Sequence, residues 1–270
     1  MKISYLLGIA LAPALLAGCG NGAGSSELAQ EQTAITFESY AVDAIARMAD
    51  GDSTQTDGTD LLRVVAEGVL PASIGGNAPT ELRDSLERMG GVSFSADGTA
   101  QPRLEAGSTL TSQEAAKTQA CSLATTTLSV TMLTPRVVVW KSSAYFYPCG
   151  AAHGMTQSRF LNYDRLGAKI VSISDIFRAG YEEPLTALLR AKLKDKPDLL
   201  VPVESIGIPA DFSLTPDGVM FSYAVYSIAP YSSGEITVNL TANEIYELLS
   251  PKGKEIIYGE PADSPAEARS

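Results

Sequence analysis

Two β-rich segments around Pro135 constrain the fold more than any other feature of the sequence. Thr125–Leu133 and Val137–Tyr147 are rich in β-branched and aromatic residues, which favour strands. The Thr-Pro-Arg tripeptide between them is typical of a turn. Cys121 and Cys149 lie at equal distances in sequence from Pro135. A hairpin centred on this proline would bring both cysteines to its open end, on facing strands.

Strand signals also dominate the sequence that follows the hairpin. Short apolar runs occur at Phe160–Tyr163, Ile170–Ile173, Val219–Ile228 and Ile236–Leu240, and they are rich in β-branched and aromatic residues. The last of them alternates apolar and polar residues, which is typical of a strand with one buried face. We therefore predict four further strands.

Two helices are predicted among these strands. Glu182 and Glu183 precede a stripe of leucines that ends before Pro197, and acidic residues favour a helix N-terminus. The sequence Thr241-Ala242-Asn243-Glu244 has the pattern of a capping box, in which the threonine and the glutamate satisfy each other's backbone N–H groups. Pro251 is predicted to end the helix that this box begins.

The region at residues 33–120 has shorter apolar runs, separated by polar loops. One helix is predicted between Pro79 and Gly90, because apolar residues recur there with helical spacing. Ile35–Val42 and Leu61–Leu70 are predicted to be strands. Clusters of strands broken by isolated helices predict an α+β fold for the whole chain, with a mainly antiparallel sheet and a few packed helices.

The N-terminus has the pattern of a bacterial export signal. Lys2 is followed by an apolar run, and the sequence Leu15-Leu16-Ala17-Gly18-Cys19 is similar to a bacterial lipobox. We expect cleavage before Cys19, whose thiol would carry a diacylglyceryl lipid. A plain secretory signal cut near Gly18 is the alternative. A spanning helix is the weaker alternative, because the apolar run is short and Pro13 interrupts it.

The residues that follow the lipobox predict an anchored protein. Small residues from Gly20 to Ser26 have the composition of a flexible tether, and no later segment of the sequence predicts a membrane span. We therefore expect a bacterial envelope protein, held at a membrane by its lipid and facing the periplasm or the exterior.

The balance of charge limits the partners. The chain has 31 acidic and 20 basic residues, and its formal net charge is −11. This charge argues against nucleic acid or an anionic lipid surface as the main partner, and it permits a cationic one. The alternative is that the charge only keeps an exported domain soluble. No cofactor is expected, since glycine loops for phosphate and metal-binding motifs are absent from the sequence.

The cysteine count predicts one disulfide. If the lipid uses Cys19, then Cys121 and Cys149 are left as an even pair in an oxidising compartment. On the chain-entropy model, their bridge would stabilise the fold by roughly 3–4 kcal/mol. Metal ligation is the rival interpretation, but one histidine and two cysteines cannot complete a four-ligand zinc shell.

The single histidine, His153, lies in a glycine-flanked loop that ends at Gly154. Catalysis would require a nucleophile and an orienting acid beside it. Ser142 and Ser158 are near in sequence, but neither lies in a G-x-S-x-G turn. The alternative is that the imidazole bonds to the backbone where the chain turns at a strand end.

Other candidate residues are aromatic or acidic. Tyr226 and Tyr231 belong to a segment with alternate aromatic residues, and at a strand end they could anchor a ligand, although such residues more often belong to a core. Paired carboxylates could serve glycoside hydrolysis, but no pair stands out in the sequence. Asp164 and Asp175 occur where aspartate usually accepts hydrogen bonds from turn N–H groups.

Several of these residues belong to motifs that occur in a fixed order between Val137 and Leu249. The motifs are Gly150-Ala151-Ala152-His153-Gly154, Phe160-Leu161-Asn162-Tyr163-Asp164, Gly167, Ser174-Asp175-Ile176-Phe177, Phe212–Gly218 and Tyr226–Gly234. Together they resemble the RsiV-like domain, the extracytoplasmic part of the anti-sigma factor RsiV. This domain also accompanies peptidoglycan deacetylase domains or stands alone in lipoproteins.

The resemblance implies an α+β fold and, as in the best understood member of that family, direct binding of lysozyme. It implies no inhibition of a sigma factor, because the sequence has no sigma-binding segment. Ala151 stands where the family usually has a second glycine, and Ser227 stands where an acidic residue is common. The His153 loop with Gly154, together with Tyr226 and Tyr231, is the expected ligand-binding surface.

The predicted organisation has five parts: a signal peptide at 1–18, a tether at 19–32, an N-terminal α+β region at 33–120, an RsiV-like domain at 121–258 and a disordered tail at 259–270. We expect a non-enzymatic binding module, whose ligand is a lysozyme-like muramidase, cell-wall glycan (peptidoglycan) or another envelope protein. The alternatives are a cell-wall hydrolase that uses His153 or paired carboxylates, and a structural envelope component.

Overall fold

The computed structural model describes residues 34–48, 60–104, 107–196 and 198–259. The predicted signal peptide, the lipidation site at Cys19, the tether and nearly all of the predicted tail lie outside these residues. None of the helices in the described ranges is long and apolar enough to span a membrane.

Seven strands form the larger sheet: β1 (Ile35–Arg47), β2 (Leu61–Ile74), β5 (Ser108–Thr109), β6 (Ser122–Leu133), β7 (Val137–Tyr147), β8 (Met155–Asp164) and β9 (Lys169–Ile170). Their order is β5-β1-β2-β6-β7-β8-β9. Neighbours are antiparallel, except that β2 and β6 run parallel. The segments on either side of the predicted boundary at residue 120 therefore belong to one sheet. The boundary itself stays a prediction.

The remaining elements form two smaller sheets and several helices. They comprise a hairpin of β3 (Val92–Phe94) and β4 (Ala100–Pro102), and a second sheet of β10 (Asp211–Thr215), β11 (Gly218–Tyr223) and β12 (Ile236–Thr241). The helices are α1 (Thr80–Gly90), α2 (Ser112–Ala115), α3 (Ile173–Ile176), α4 (Glu182–Leu193), α5 (Ala242–Ile245) and α6 (Pro251–Tyr258). The predicted α+β class, with a mainly antiparallel sheet and a few helices, is confirmed.

The predicted hairpin is present as β6 and β7. Leu123 faces Tyr147 at its open end, and the N–H of Thr134 donates to the carbonyl of Val137 at its turn, at 2.8 Å. The predicted disulfide joins Cys121 to Cys149, with their Cα atoms 5.0 Å apart. The symmetric spacing of the two cysteines about Pro135 is thus a consequence of antiparallel pairing.

Strand β7 separates two hydrophobic cores. Val138 and Trp140 face the core beneath α1, which also contains Leu86, whereas Val137 and Val139 face the core formed with the second sheet. Successive side chains of a strand point to opposite faces, so a strand that is buried on both faces requires an unbroken apolar run. This explains the run of four apolar residues at the start of β7.

Asn162 joins the larger sheet to the second one. Its side chain is buried in β8, where Nδ2 donates to the carbonyl of Phe212 at 3.0 Å and Oδ1 accepts from the N–H of Leu214 at 2.7 Å. The side-chain amide therefore makes the two hydrogen bonds to β10 that the backbone of a neighbouring strand would otherwise make, and it holds β10 beside β8. This contact positions the chain between β11 and β12, which carries part of the candidate site.

Three of the predicted elements need correction. The predicted strand Ile170–Ile173 is a two-residue strand followed by α3, and Val219–Ile228 leaves the sheet after Tyr223. Pro251 does not end the helix that follows the capping box but begins α6, since proline is favoured in a first helical turn, where its missing N–H costs nothing. The other predicted helices and strands are present, several of them longer than predicted.

Candidate functional site

Three of the predicted ligand-binding residues meet in one aromatic cluster, defined here as His153, Tyr226 and Tyr231. The rings of His153 and Tyr231 are stacked, with centroids 4.0 Å apart and planes inclined by 22°. The Tyr226 ring lies 5.7 Å from that of Tyr231, and its hydroxyl is 3.5 Å from Nε2 of His153. Residues separated by more than seventy positions in sequence therefore form one surface.

Two turns build this surface. His153 lies in the connection between β7 and β8, where its Nδ1 is 3.1 Å from the carbonyl oxygen of Gly154. Tyr226 and Tyr231 lie between β11 and β12: Tyr226 is within a turn in which the N–H of Ser227 donates to the carbonyl of Ala224 at 3.0 Å, and Tyr231 follows that turn. Tyr226 has a φ of 68°, in the left-handed region that a bulky residue rarely adopts. The fold thus holds this tyrosine in a costly backbone conformation, and such conformations concentrate at functional sites.

Gly154 packs against Tyr145 and thereby positions the neighbouring His153. It is buried, and a Cβ atom at this position would overlap the ring of Tyr145. On the same connection, the hydroxyl of Tyr147 donates to the carbonyl of Ala151 at 2.9 Å. Gly154 therefore has a packing role that places His153, and any contact that it makes with a ligand stays a prediction.

The surroundings of the aromatic cluster are open and partly apolar. Tyr226 is 47% exposed, and two more large apolar side chains nearby, Phe146 and Met155, are 43% and 47% exposed. A shallow cavity of about 300 Å³ lies beside it, lined by Tyr145, Val225 and neighbouring residues of β6, β7 and β8. A contiguous exposed apolar surface of this kind is typical of an interaction site.

One pair of carboxylates lies near this end of the molecule. Glu235 accepts a hydrogen bond from the N–H of Ser158, and Asp211 accepts one from the N–H of Phe160, so both satisfy the otherwise unpaired edge of β8. Burial raises the pKa of Asp211, and the charge of Glu235 adds to this, against the opposing effect of Arg159. This role as acceptors for a strand edge accounts for both side chains without catalysis.

Asp164 is buried in an ionic cluster at the other end of β8. Its Oδ1 lies 2.8 Å from Nε of Arg136, and its Oδ2 lies 2.8 Å from Nζ of Lys252. Burial alone would raise the pKa of this carboxyl, but hydrogen bonds from Lys252 and the N–H of Gly167, with the positive charges of Arg136 and Lys252, leave it below its usual range. Its Oδ1 also accepts from the N–H of Leu166 at 3.2 Å, as the turn pattern predicted.

The described residues offer few means of binding a metal or activating a nucleophile. No group of three histidine, cysteine or acidic side chains in this part of the chain could hold a metal ion. Ser142 donates to the carbonyl of Met89 at 2.7 Å, whereas His153 contacts the carbonyl of Gly154 and the hydroxyl of Tyr226. Sequence reasoning found the three rings of the aromatic cluster but missed the supporting Tyr145, whose only sequence signal is a strand aromatic close to a glycine.

The chain is similar to proteins of one family, both in sequence and in fold. Residues 174–243 match a family described as Protein of unknown function (DUF3298). The chain is similar to the crystal structure of a DUF3298 family member from Bacteroides fragilis, with a TM-score of 0.54 and 20% identity over 83% of this chain and 98% of that one. A DUF3298 family protein from Pseudomonas aeruginosa is equally similar, with a TM-score of 0.54 and 18% identity over the same shares.

Residues 174–243 are therefore similar to the DUF3298 family, and the chain shares its fold with these two solved proteins of that family. The matched residues include Tyr226 and Tyr231 but not His153. No curated protein is significantly similar in sequence. The coarse part of the expected resemblance is thus confirmed, since the DUF3298 domain type occurs in RsiV-like proteins.

Proposed function

We propose that this protein is a non-enzymatic binding module of the bacterial envelope, and that the aromatic cluster is the centre of its binding surface. The observation that carries the proposal is the stack of the exposed His153 on the half-buried Tyr231, with the exposed Tyr226 beside it in a left-handed conformation. Tyrosines presented by turns of a rigid scaffold provide a large contact area at a low cost in conformational entropy. They are also enriched among residues that dominate binding energy.

A lysozyme-like muramidase is the first candidate ligand, on the resemblance to RsiV-like domains. Lysozymes are typically basic, and this chain carries a formal net charge of −11. Opposite net charges accelerate encounter, and salt weakens this effect because charges are screened over about 8 Å at physiological ionic strength. Cell-wall glycan is the second candidate, since aromatic faces also stack on sugar rings.

The contacts of the candidate groups favour binding over hydrolysis. The hydrogen-bonding contacts of His153 are the carbonyl of Gly154 and the hydroxyl of Tyr226, and neither is an activated nucleophile. Asp211 and Glu235 are engaged with the backbone of β8. A hydrolase would instead need one carboxylate free to protonate a leaving group and a second one facing it.

Tyr231→Ala tests the proposed surface. Removal of the ring that contacts both His153 and Tyr226 should raise the dissociation rate of a bound lysozyme about tenfold and change the association rate little. The measurement is surface-immobilised kinetics against animal and bacterial lysozymes at two salt concentrations. Tyr246→Ala is the matched control, because Tyr246 packs on Tyr258 and lies outside the aromatic cluster.

Circular dichroism of both variants verifies that each is folded. Equal rates for Tyr231→Ala and the parent protein would exclude the aromatic cluster as the contact centre. If no lysozyme binds more tightly than an unrelated basic protein of similar charge, the muramidase proposal fails. Binding of soluble peptidoglycan fragments by the same surface would then make glycan the better candidate.

The proposed lipid anchor is tested independently at Cys19. Cys19→Ala should abolish the acyl mass of the mature protein and move it from the detergent phase to the aqueous phase, because the lipid is attached to this thiol. Intact mass spectrometry and detergent partitioning measure both effects. A parent protein that carries no acyl mass would contradict the anchor.

A further inference from the structure

A second candidate site lies at the opposite end of β8 from the aromatic cluster. It is a cleft of about 630 Å³ between the start of α1 and the turn that joins β8 to β9. Gly154 precedes β8 and Tyr163 lies near its end, so the two sites are separated by about 30 Å of extended strand. The cleft has the volume of a typical small-molecule site.

Tyr163 forms the floor of this cleft. The residue is only 5% exposed, and it lines the cleft from the core face of β8. Its hydroxyl makes no hydrogen bond to any group in the described part of the chain and is not fully buried, so it is open to the cleft. Burial, with the charges of Asp164 and Glu81, raises the pKa of this hydroxyl. It therefore remains protonated and can donate to a ligand.

The N-terminus of α1 forms one wall of the cleft. The helix has 11 residues, and no side chain caps its first turn, which follows Pro79. Uncapped N–H groups at a helix N-terminus attract anions, because they carry a partial positive charge and have no partner within the helix. Thr80, Glu81 and Leu82 all line the cleft here.

Two basic residues form the opposite wall. Arg165 and Lys169 line the cleft, and each is held by another contact: Arg165 donates to the carbonyl of Thr134, and Lys169 pairs with Asp175. Asp175 balances the charge of Lys169, and Glu81 in the lining balances that of Arg165. Attraction for an anionic group therefore comes from the N–H groups of α1 rather than from an excess of positive charge.

Apart from Asn77, the rest of the lining is apolar. Ile74, Pro79, Leu166 and Ile170 contribute side chains, and Leu166 is 51% exposed there. A simple inorganic anion would leave this surface uncovered. An apolar body attached to the anionic group would cover it and would gain about 25 cal/mol for each Å² that is buried.

We propose that this cleft binds a small organic carboxylate with an apolar body. The carboxylate accepts hydrogen bonds from the hydroxyl of Tyr163 and from the N–H groups of Glu81 and Leu82, since the N–H of Thr80 already donates to the carbonyl of Ala78. The apolar body packs on Ile74, Leu166 and Ile170, and Arg165 lies on the opposite wall. The site is separate from the aromatic cluster, and it does not depend on the proposed binding of a muramidase.

Hexanoate is a suitable probe, with hexanamide as its uncharged match. Titration of the ¹⁵N-labelled full chain with hexanoate should produce saturable chemical-shift changes at the amides of Glu81 and Leu82, whereas hexanamide should produce none. Tyr163→Phe removes only the hydroxyl, and it should raise the dissociation constant about tenfold, as expected for the loss of one hydrogen bond to a charged group. Tyr246→Phe is the control and should bind hexanoate as the parent does.

Three outcomes would overturn the proposal. They are the absence of saturable shifts at these two amides, equal shifts with hexanamide, and an unchanged dissociation constant for Tyr163→Phe. Fluorescence of the buried Trp140 verifies that each variant is folded. Tyr231→Ala should bind hexanoate normally, so failure at this cleft and failure of the aromatic cluster are distinguished by the same set of variants.

Discussion

Asp164 combines two roles at the end of β8. One oxygen serves the turn, as the sequence pattern predicts, because it accepts the N–H of Leu166. Full burial between Arg136 and Lys252 was not predictable, since Arg136 lies 28 positions away and Lys252 lies on a helix that the sequence did not predict. Local sequence therefore indicates the turn, and only the fold shows the ionic cluster.

Asp164→Asn should destabilise the protein by about 2–3 kcal/mol at pH 7. It retains the shape of the side chain but leaves Glu255 as the remaining acidic partner of both Arg136 and Lys252, and their partial exposure keeps the loss below that of a fully buried pair. Urea unfolding measures the difference. Asp195→Asn, at an exposed position, is the control and should remain within about 0.5 kcal/mol of the parent. A neutral effect of Asp164→Asn would show that the ionic cluster contributes nothing.

The aromatic cluster was partly predictable at the scale of residues. His153 and Tyr231 drew attention because one is the single histidine and the other is an aromatic near a strand end. Their stacking brings together connections from the two sheets, and no local pattern indicates the contact of Asn162 that joins β10 to β8. Tyr163 was predicted as part of a strand and of a motif but not as a site residue, because an aromatic in a strand usually belongs to the core.

At the scale of elements, capping chemistry was the most reliable signal in the sequence. The side chain of Thr241 accepts from the N–H of Glu244, and the carboxylate of Glu244 accepts from the N–H of Thr241 at 2.8 Å, as the capping box predicts. Pro251 was misread because proline fits the first turn of a helix as well as the position after its last one. Val219–Ile228 was predicted too long because composition does not show where pairing with β12 ends.

Glu244 also makes stability depend on pH. The hydrogen bond from Lys192, followed by those from Thr241, lowers the pKa of Glu244 from 4.5 to about 2 in the folded protein. The unfolded chain therefore binds this proton more readily, so the carboxylate stabilises the fold above about pH 4.5 and this contribution is lost as the pH falls towards 2.

Glu244→Gln should thus make stability fall less steeply between pH 5 and about pH 3 than it does in the parent. Urea unfolding at several pH values in this range measures the slope. Glu247→Gln, in the same turn, is the control, since Glu247 forms no ion pair within the described ranges of the chain. Identical slopes for the parent and Glu244→Gln would refute the assigned linkage.

At the scale of the whole molecule, the two cores share β7. The sequence indicated this strand clearly, because an unbroken apolar run is what burial on both faces requires. It did not indicate that β2 and β6 pair in parallel across the predicted boundary at residue 120, since such a pairing joins segments with a long connection between them. A shared strand implies that neither core is complete without the other.

The shared strand predicts that the molecule unfolds as one unit. Val138→Ala and Val139→Ala remove apolar groups from opposite faces of β7, and each should destabilise the protein by about 2 kcal/mol. Two probes can follow unfolding in urea: fluorescence of Trp140 reports on the core beneath α1, and NMR signals of Phe221 report on the core with the second sheet.

For each variant, the two probes should report the same unfolding midpoint, and that midpoint should be lower than the parent's. The reason is that the loss of either core removes one buried face of β7. Ser129→Ala, at an exposed position on the neighbouring β6, is the control and should leave the midpoint nearly unchanged. If Val139→Ala moved the Phe221 transition alone and Trp140 reported the parent midpoint, the two cores would unfold separately. The larger sheet would then be a platform to which the second sheet is attached, and the aromatic cluster could lose its structure while the cleft beside α1 remained intact.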